Sequence, residues 1–166
     1  MRTMPDAPDR LDWSFRYFDE LSLRDLYDAL ALRCEVFIVE QVAFQDPDGE
    51  DQTAWHLLGR DAASKLQAYC RVLPPGQHYD EPSIGRVVVA PTARGTGAGW
   101  ELMRHGIDEL QRLWPGAAIR IGAQAHLQRF YEGCGFAVAS EPYLEDGIPH
   151  LKMLRPEPVA AAEGRA

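Results

Sequence analysis

A β-branched run that turns straight into a glycine-rich corner is the feature that most limits what this chain can fold into. SIGRVVVAP (residues 83–91) carries Val87, Val88 and Val89 in succession, as expected of a buried central strand covered on both faces. RGTGAG (residues 94–99) follows, and then Met103, Ile107, Leu110 and Trp114 recur at steps of four, three and four, on one helix face. Strand, tight turn and helix are the unit of an α/β sheet. Glycine in such a corner either permits backbone angles that a Cβ forbids or lets a ligand approach the backbone. The turn puts free N–H groups and the positive end of a helix dipole at one place, which suits an anion. Gly97 and Gly99 would admit a pyrophosphate, and Arg94 would add a fixed charge. The same glycines also suffice for a bare strand-to-helix turn.

Neither of two better-known phosphate loops fits. Walker A needs Gly-Lys-Ser/Thr at the helix start, and a dinucleotide fingerprint needs G-x-G-x-x-G with an acidic residue ending the next strand. Here Trp100 follows Gly99, and the next strand ends in Ile121-Gly122-Ala123.

The flanking sequence supplies the rest of a sheet. WSFRYF (residues 13–18) alternates as a strand, and Ser22 is a good N-cap for a helix on which Leu23, Leu26, Tyr27, Leu30, Ala31 and Cys34 share helical spacing. That helix runs on towards CEVFIVE (residues 34–40), whose β-branched residues leave its end open. AWHLLGR (54–60) and KLQAYCRVL (65–73) read as an antiparallel hairpin, and PPGQHYDEP (74–82) as a loop. AIRIGA (118–123) is a strand, HLQRFYEGCGF (126–136) a short helix with Gly135 as its αL end, and IPHLKML (148–154) a last strand. QDPDGEDQ (45–52) reads as a solvated acidic turn. Its glycine is fourth from Asp46 rather than sixth, so it is no EF-hand loop.

At 166 residues, with no internal repeat, the chain is long enough for one core, so a single mixed α/β domain with helices on both sheet faces is expected over residues 11–155. Residues 1–10 read as a flexible N-terminus and 156–166 as a disordered tail. Seventeen Lys and Arg stand against 25 Asp and Glu, a net charge of −8 without a basic stripe, so no nucleic-acid partner is expected. Three isolated cysteines offer no metal or redox spacing; no metal is expected, and a reducing, cytoplasmic location fits. No apolar run reaches spanning length and no secretory leader is read at the N-terminus, so no membrane association is expected.

R-x-x-G-x-G after VVVAP, followed by FYEGCGF, resembles the two signature regions of the GNAT superfamily of N-acetyltransferases. LRCEVFIVEQ, DGEDQTAWHLLG, IGRVVV, GAQAHLQRFYEGCGF and EDGIPHLKM together resemble its ElaA-like subgroup across residues 32–153. The resemblance implies the acyl-CoA N-acyltransferase fold and an acetyl-CoA-dependent N-acetyltransferase acting on a small-molecule or peptide amine. It assigns the pyrophosphate to Arg94, Gly95, Thr96, Gly97, Ala98 and Gly99, and the pantetheine arm to the backbone of Val87, Val88 and Val89. Gln124 stands where many members have an asparagine. Many members place a glutamate base on the central strand, where this chain has Ile84-Gly85-Arg86, so the base is unassigned. A homodimer remains open.

Tyr131 is where the family places the general acid that protonates the departing thiolate. A phenol near pKa 10 giving a proton to a thiol near 8.5 costs roughly 2 kcal/mol. Leu127, Phe130 and Cys134 already mark an apolar side of its helix, so packing is the competing role. Cys134 itself has no basic partner nearby in sequence to make it a nucleophile, which favours direct transfer in a ternary complex. Histidine ordinarily titrates near neutral pH, which makes His150 a candidate for relaying a proton or touching substrate, and His56 a lesser candidate on the acceptor side. Arg33, Glu35, Phe37, Arg71 and Arg86 are candidates for the acceptor side, opposite the cofactor. An internal ion-pair network among Arg33, Arg71, Arg86 and the acidic turn is the alternative. A different acyl-CoA donor, or a CoA-binding sensor without catalysis, would use the same turn.

Overall fold

The computed structural model describes residues 10–158; the expectations for residues 1–9 and 159–166 fall outside that range. An eight-stranded sheet runs in the order β1-β2-β3-β4-β5-β8-β6, with β7 also paired to β8. β1 (Asp12–Tyr17), β2 (Trp55–Arg60), β3 (Leu66–Leu73) and β4 (Ser83–Val89) form an antiparallel half. β5 (Ile119–Gln124), β8 (Ile148–Arg155), β6 (Ala137–Val138) and β7 (Tyr143–Glu145) form the other. The halves meet at the parallel β4–β5 junction. No helix among the described residues is long and apolar enough to cross a membrane.

α1 (Leu23–Arg33) covers one face and α2 (Ala98–Leu113) the other, with α3 (Gln128–Gly133) packed beside α2's start. β3 shows why both are needed. It is buried along its whole length: Ala68, Cys70 and Val72 face α2, whereas Tyr69 faces α1. Met103, Ile107 and Leu110 enter the α2 core as their spacing predicts, and Leu102 joins them. Trp114 packs edge-on against Trp55, with centroids 5.4 Å apart.

Three expectations change. β3, not β4, is the fully buried strand, because Val87 and Val89 of β4 lie beside an opening. In α1, Ser22 caps Asp25 N–H at 3.0 Å as expected, yet Leu23 and Tyr27 stand 89% and 74% exposed. The buried face is instead Ala29, Leu32 and Arg33, because small Ala29 fits close to the sheet and Arg33 finds carboxylates there. Beyond Arg33 the helix continues as a π turn over Cys34–Val39. Finally, β6 and β7 are short strands that the apolar pattern does not reveal. β7 and β8 are joined at Asp146-Gly147, both with positive φ (50° and 75°), a turn whose twist suits a hairpin.

At the sheet's edge, Trp13 lies over its cross-strand partner Gly59, where an added Cβ would come within 2.6 Å of the indole. Gly59→Ala should therefore displace Trp13 and lower stability by about 1–3 kcal/mol, read as a drop in urea midpoint with the slope unchanged.

Candidate active site

The acidic stretch is not a solvated turn. Asp46 and Asp51 are 2% and 6% exposed, because three arginines from three elements converge on them. Arg33 of α1 reaches Asp46 at 2.8 Å and Asp51 at 2.9 Å; Arg71 of β3 reaches Asp51 at 3.0 Å, Glu50 at 3.1 Å and Asp48. Arg86 of β4 reaches Asp46 at 2.9 Å and Asp48 at 3.2 Å. His56 closes the cluster, with Nε2 donating to the Asp51 carbonyl at 3.0 Å and Nδ1 accepting from the Tyr69 hydroxyl at 2.7 Å. Burial holds His56 below the usual histidine range, so it is neutral. Burial alone would raise Asp51, but hydrogen bonds and charge from Arg33 and Arg71 outweigh it and hold the carboxyl low.

Four residues expected on the acceptor side are thereby accounted for. Arg33, Arg71 and His56 are buried and committed to internal partners, so they have no surface for a substrate. Arg86 is half-buried and also held by carboxylates. Of the same set, Glu35 is exposed and Phe37 half-buried, both on the π turn.

What Arg86 does instead is shape β4. The register moves from Tyr69 opposite Val88 to Arg71 opposite Gly85, so Cys70 of β3 faces both Arg86 and Val87. That is a β-bulge, and Arg86 occupies it at φ 49°, a left-handed value uncommon for a non-glycine residue. On its other side β4 pairs with β5 at Ser83 and Arg120 only. Past that point the strands part, and the β5-facing backbone of Val87, Val88 and Val89 has no ladder partner.

The glycine turn stands at the open end of this gap. Gly97 caps α2 at φ 88° and Gly95 has φ 76°; a Cβ on either would meet nothing within 4 Å. Positive φ explains these two glycines, and the empty space beside them leaves room for an anion. Gly99 sits where a Cβ would touch Phe130 of α3 and Val89 of β4 at 3.6 and 3.8 Å, so it lets turn, α3 and β4 converge. Thr96 Oγ1 donates to the Ala93 carbonyl at 2.6 Å and fixes the corner. Arg94 is half-exposed and pairs with Glu40 at 2.8 Å, an exposed contact that contributes little and could be exchanged at little cost. Ala98 is buried behind the turn.

Tyr131 and Gln124 flank the gap from the other half. The Tyr131 ring is buried among Phe130 and Phe136, and its hydroxyl has no hydrogen-bond partner among the described residues. Burial pushes its phenol well above the ordinary tyrosine value. Gln124 Nε2 donates to Gln41 Oε1 at 2.9 Å, which ties the end of β5 to the segment after the π turn. His150 lies opposite Gln124 in the β5–β8 ladder; its Nδ1 donates to the Ile148 carbonyl at 2.7 Å, and Nε2 faces Glu145 at 3.7 Å.

A family model described as "Acetyltransferase (GNAT) domain" matches residues 32–155. The chain belongs to the GNAT acetyltransferase family. It is 42% identical over 148 residues to Protein ElaA of Escherichia coli (strain K12), covering 87% of this chain and 96% of that one. A UPF0039 protein of Synechocystis sp. is 41% identical over 145 residues, covering 87% and 94%. Among solved structures, an acyl-CoA N-acyltransferase from Pseudomonas aeruginosa superposes with a TM-score of 0.83 at 42% identity, covering 87% of this chain and 99% of that one. Escherichia coli ElaA superposes with a TM-score of 0.82 at 41% identity over the same shares. The GNAT family takes an acyl-CoA as donor and an amine as acceptor, and the ElaA-like subgroup is the part of it that this chain resembles.

Sequence reasoning does not single out Tyr79, Tyr143 or Lys152, which meet beside Gly122. The Asp146-Gly147 hairpin signal is what would have placed Tyr143 opposite His150.

The buried cluster makes the fold acid-sensitive in a defined order. His56 has a depressed folded value, so the unfolded chain takes its proton first, and stability is lost as pH falls from above about 6.5. Asp48 and Asp51 are also depressed and add a second loss below about pH 4. His56→Gln should remove the first stage, at most about 1.4 kcal/mol per pH unit, in urea melts between pH 5 and pH 8. Arg33→Met, which leaves buried Asp46 to Arg86 alone and Asp51 to Arg71 alone, should cost about 3 kcal/mol at pH 7 in the same measurement.

Proposed function

We propose that the protein is an acetyl-CoA-dependent N-acetyltransferase that moves the acetyl group directly to an amine in a ternary complex. The reading rests on one observation: an open, glycine-lined helix start stands at the mouth of a gap whose β4 edge is unpaired. The N–H groups of the turn from Arg94 to Gly99 hold the pyrophosphate. The free edge of Val87, Val88 and Val89 takes the pantetheine amides as an added strand would be taken. Backbone N–H groups near the bulge polarise the thioester carbonyl.

The acceptor nitrogen attacks that carbonyl, the new N–C bond forms and the C–S bond breaks. The thiolate leaves with the electron pair and takes the proton of the Tyr131 hydroxyl, whose lack of an internal partner leaves it free to donate. Burial raises phenols and thiols together, as Cys70, pushed up to about 12, illustrates. A leaving thiolate in the same apolar surroundings thus keeps the mismatch with Tyr131 small. His150, with Glu145 behind it, receives the proton that the amine must shed, and Gln124 orients the thioester arm. Glu35 and Phe37 border the acceptor's entry. A cytoplasmic location accords with this substrate pair.

Two measurements test this reading. Acetyl-CoA at a hundredfold excess over its Kd should stabilise the native protein by about 2.7 kcal/mol. Gly97→Asp should remove most of that shift. Gly97→Asn, with the same backbone strain and no charge, should keep more of it. An intact shift in folded Gly97→Asp protein would sink the phosphate site. Tyr131→Phe should cut turnover by about 10²-fold or more with acetyl-CoA binding and Tm nearly unchanged. Because the Tyr131 phenol is raised, the native enzyme should show no loss of activity from its ionisation up to about pH 10. Near-native turnover in Tyr131→Phe would leave that residue to packing.

A further inference from the structure

Across the gap from the bulge, Gly122 of β5 and Lys152 of β8 lie on the face turned away from the α2 core, and the side chains of Tyr79, from loop 74–82, and Tyr143, from β7, reach over it. Three side chains meet there. The Lys152 ammonium lies over the Tyr79 ring at 5.4 Å and the Tyr143 ring at 5.9 Å. Both tyrosine hydroxyls converge on Gly122, where an added Cβ would stand 3.0 Å from that of Tyr143 and 3.2 Å from that of Tyr79. Gly122 is the bare floor that lets them come so close to the strand.

The charges around this spot are unevenly matched. Glu81 is taken by Arg120 through two bonds of 2.8 and 2.9 Å, and Glu50 faces Arg71 and His78. Glu145 turns towards His150 at 3.7 Å. Lys152 has no carboxylate within ion-pair distance among the described residues. Tyr79 is pushed up to about 12, by burial first and then by Tyr143 and Glu145, so its hydroxyl stays a donor at neutral pH. One ammonium and two phenols thus offer donors at one point, and a second cation would meet Lys152.

The position fits the chemistry of the gap. Ser83 pairs with Arg120, so in this parallel register Gly122 lies level with Gly85 and the bulge. One strand spacing, about 5 Å and widened where the strands part, separates this floor from the β4 edge. We propose that Lys152, Tyr79 and Tyr143 hold the carboxylate of the acceptor, which is an amino acid whose amine lies only a few bonds from that carboxylate. The proposal rests on the acetyltransferase reading and narrows its acceptor to amino-carboxylates. Longer peptides are disfavoured, because their amine and terminal carboxylate lie too far apart.

The test compares each of the twenty amino acids with its amide, which keeps the amine and removes the negative charge. Release of CoA thiol from acetyl-CoA should give, for the accepted amino acids, a kcat/KM about tenfold or more above that of the amide, the scale of a charge-assisted hydrogen bond. Lys152→Met should bring the ratio near one by raising KM for the acid, and Lys152→Arg should restore much of it. The thermal shift with acetyl-CoA should be the same in all three proteins. Equal or better use of amides, or an acid preference that survives in Lys152→Met, overturns the proposal. A second arm is independent of turnover: N-acetyl amino acids are titrated at millimolar concentration into the native protein with CoA, and the Tyr79 and Tyr143 NMR signals are followed. Saturable shifts that vanish in Lys152→Met support the clamp even if no thiol is released, an outcome that would count against the acetyltransferase reading alone. No shift with any of them rejects the clamp.

Discussion

Three arginines closing on one acidic loop decide the shape of the rest. Arg33, Arg71 and Arg86 come from α1, β3 and β4, and all end on the four carboxylates between Asp46 and Asp51. Ion pairs this deep add little net stability over an apolar core of equal volume, but each demands its partner. The loop cannot sit elsewhere without stranding buried charge, and neither can α1. The pull of Asp46 and Asp48 on Arg86 favours the left-handed residue that bulges β4. A cluster far from any leaving group thereby sets the strand edge on which acyl transfer would occur.

The bulge and the parting of β4 from β5 belong together. Backbone N–H and C=O groups inside a sheet need partners, and a central strand with a free edge past Ser83 leaves that need open. Water or a bound chain must meet it. An extended arm bearing amides satisfies such an edge as another strand would, and at its end the glycine turn offers N–H groups to an anion. The two halves of the sheet are therefore held at one point and open at the other, a geometry that serves a two-substrate reaction and would only weaken a purely structural sheet.

Much of this was legible in the sequence, for reasons that can be named. Local signals are strong where one interaction acts over a few residues: the Ser22 cap, the strand at Val87 to Val89 (though not its full burial), the 4-3-4 face of α2 and the corner glycines all hold. Sequence fails where a distant partner reverses the local preference. Leu23 and Tyr27 look like the buried face of α1, yet the helix turns Ala29, Leu32 and Arg33 to the sheet instead, where Asp46 and Asp51, far along the chain, meet Arg33. Asp46-Pro47-Asp48-Gly49-Glu50-Asp51 reads as a solvated turn for the same reason: nothing local shows the arginines. Lys152 lies opposite Gly122 in the ladder, while Tyr79 and Tyr143 reach the same place from a loop and from a strand too short to show a pattern.

The net charge of −8 at first argues against anionic ligands, and both an acyl-CoA and an amino acid carry negative groups. Distance resolves the conflict. At physiological ionic strength, charges farther apart than about 8 Å are largely screened across solvent, so most surface carboxylates act weakly on a ligand inside a cleft. Those nearest are already engaged: Glu40 by Arg94, Glu81 by Arg120, and the whole acidic loop by its arginines. Among what remains at short range are donors without internal acceptors, including the N–H groups at the start of α2 and the ammonium of Lys152. An acidic surface slows the approach of an anion, but the local donors decide whether it stays. A site built this way would discriminate by contact rather than by long-range attraction. Its affinity for acetyl-CoA would then fall only weakly with added salt, which a thermal-shift titration between low and physiological ionic strength would read.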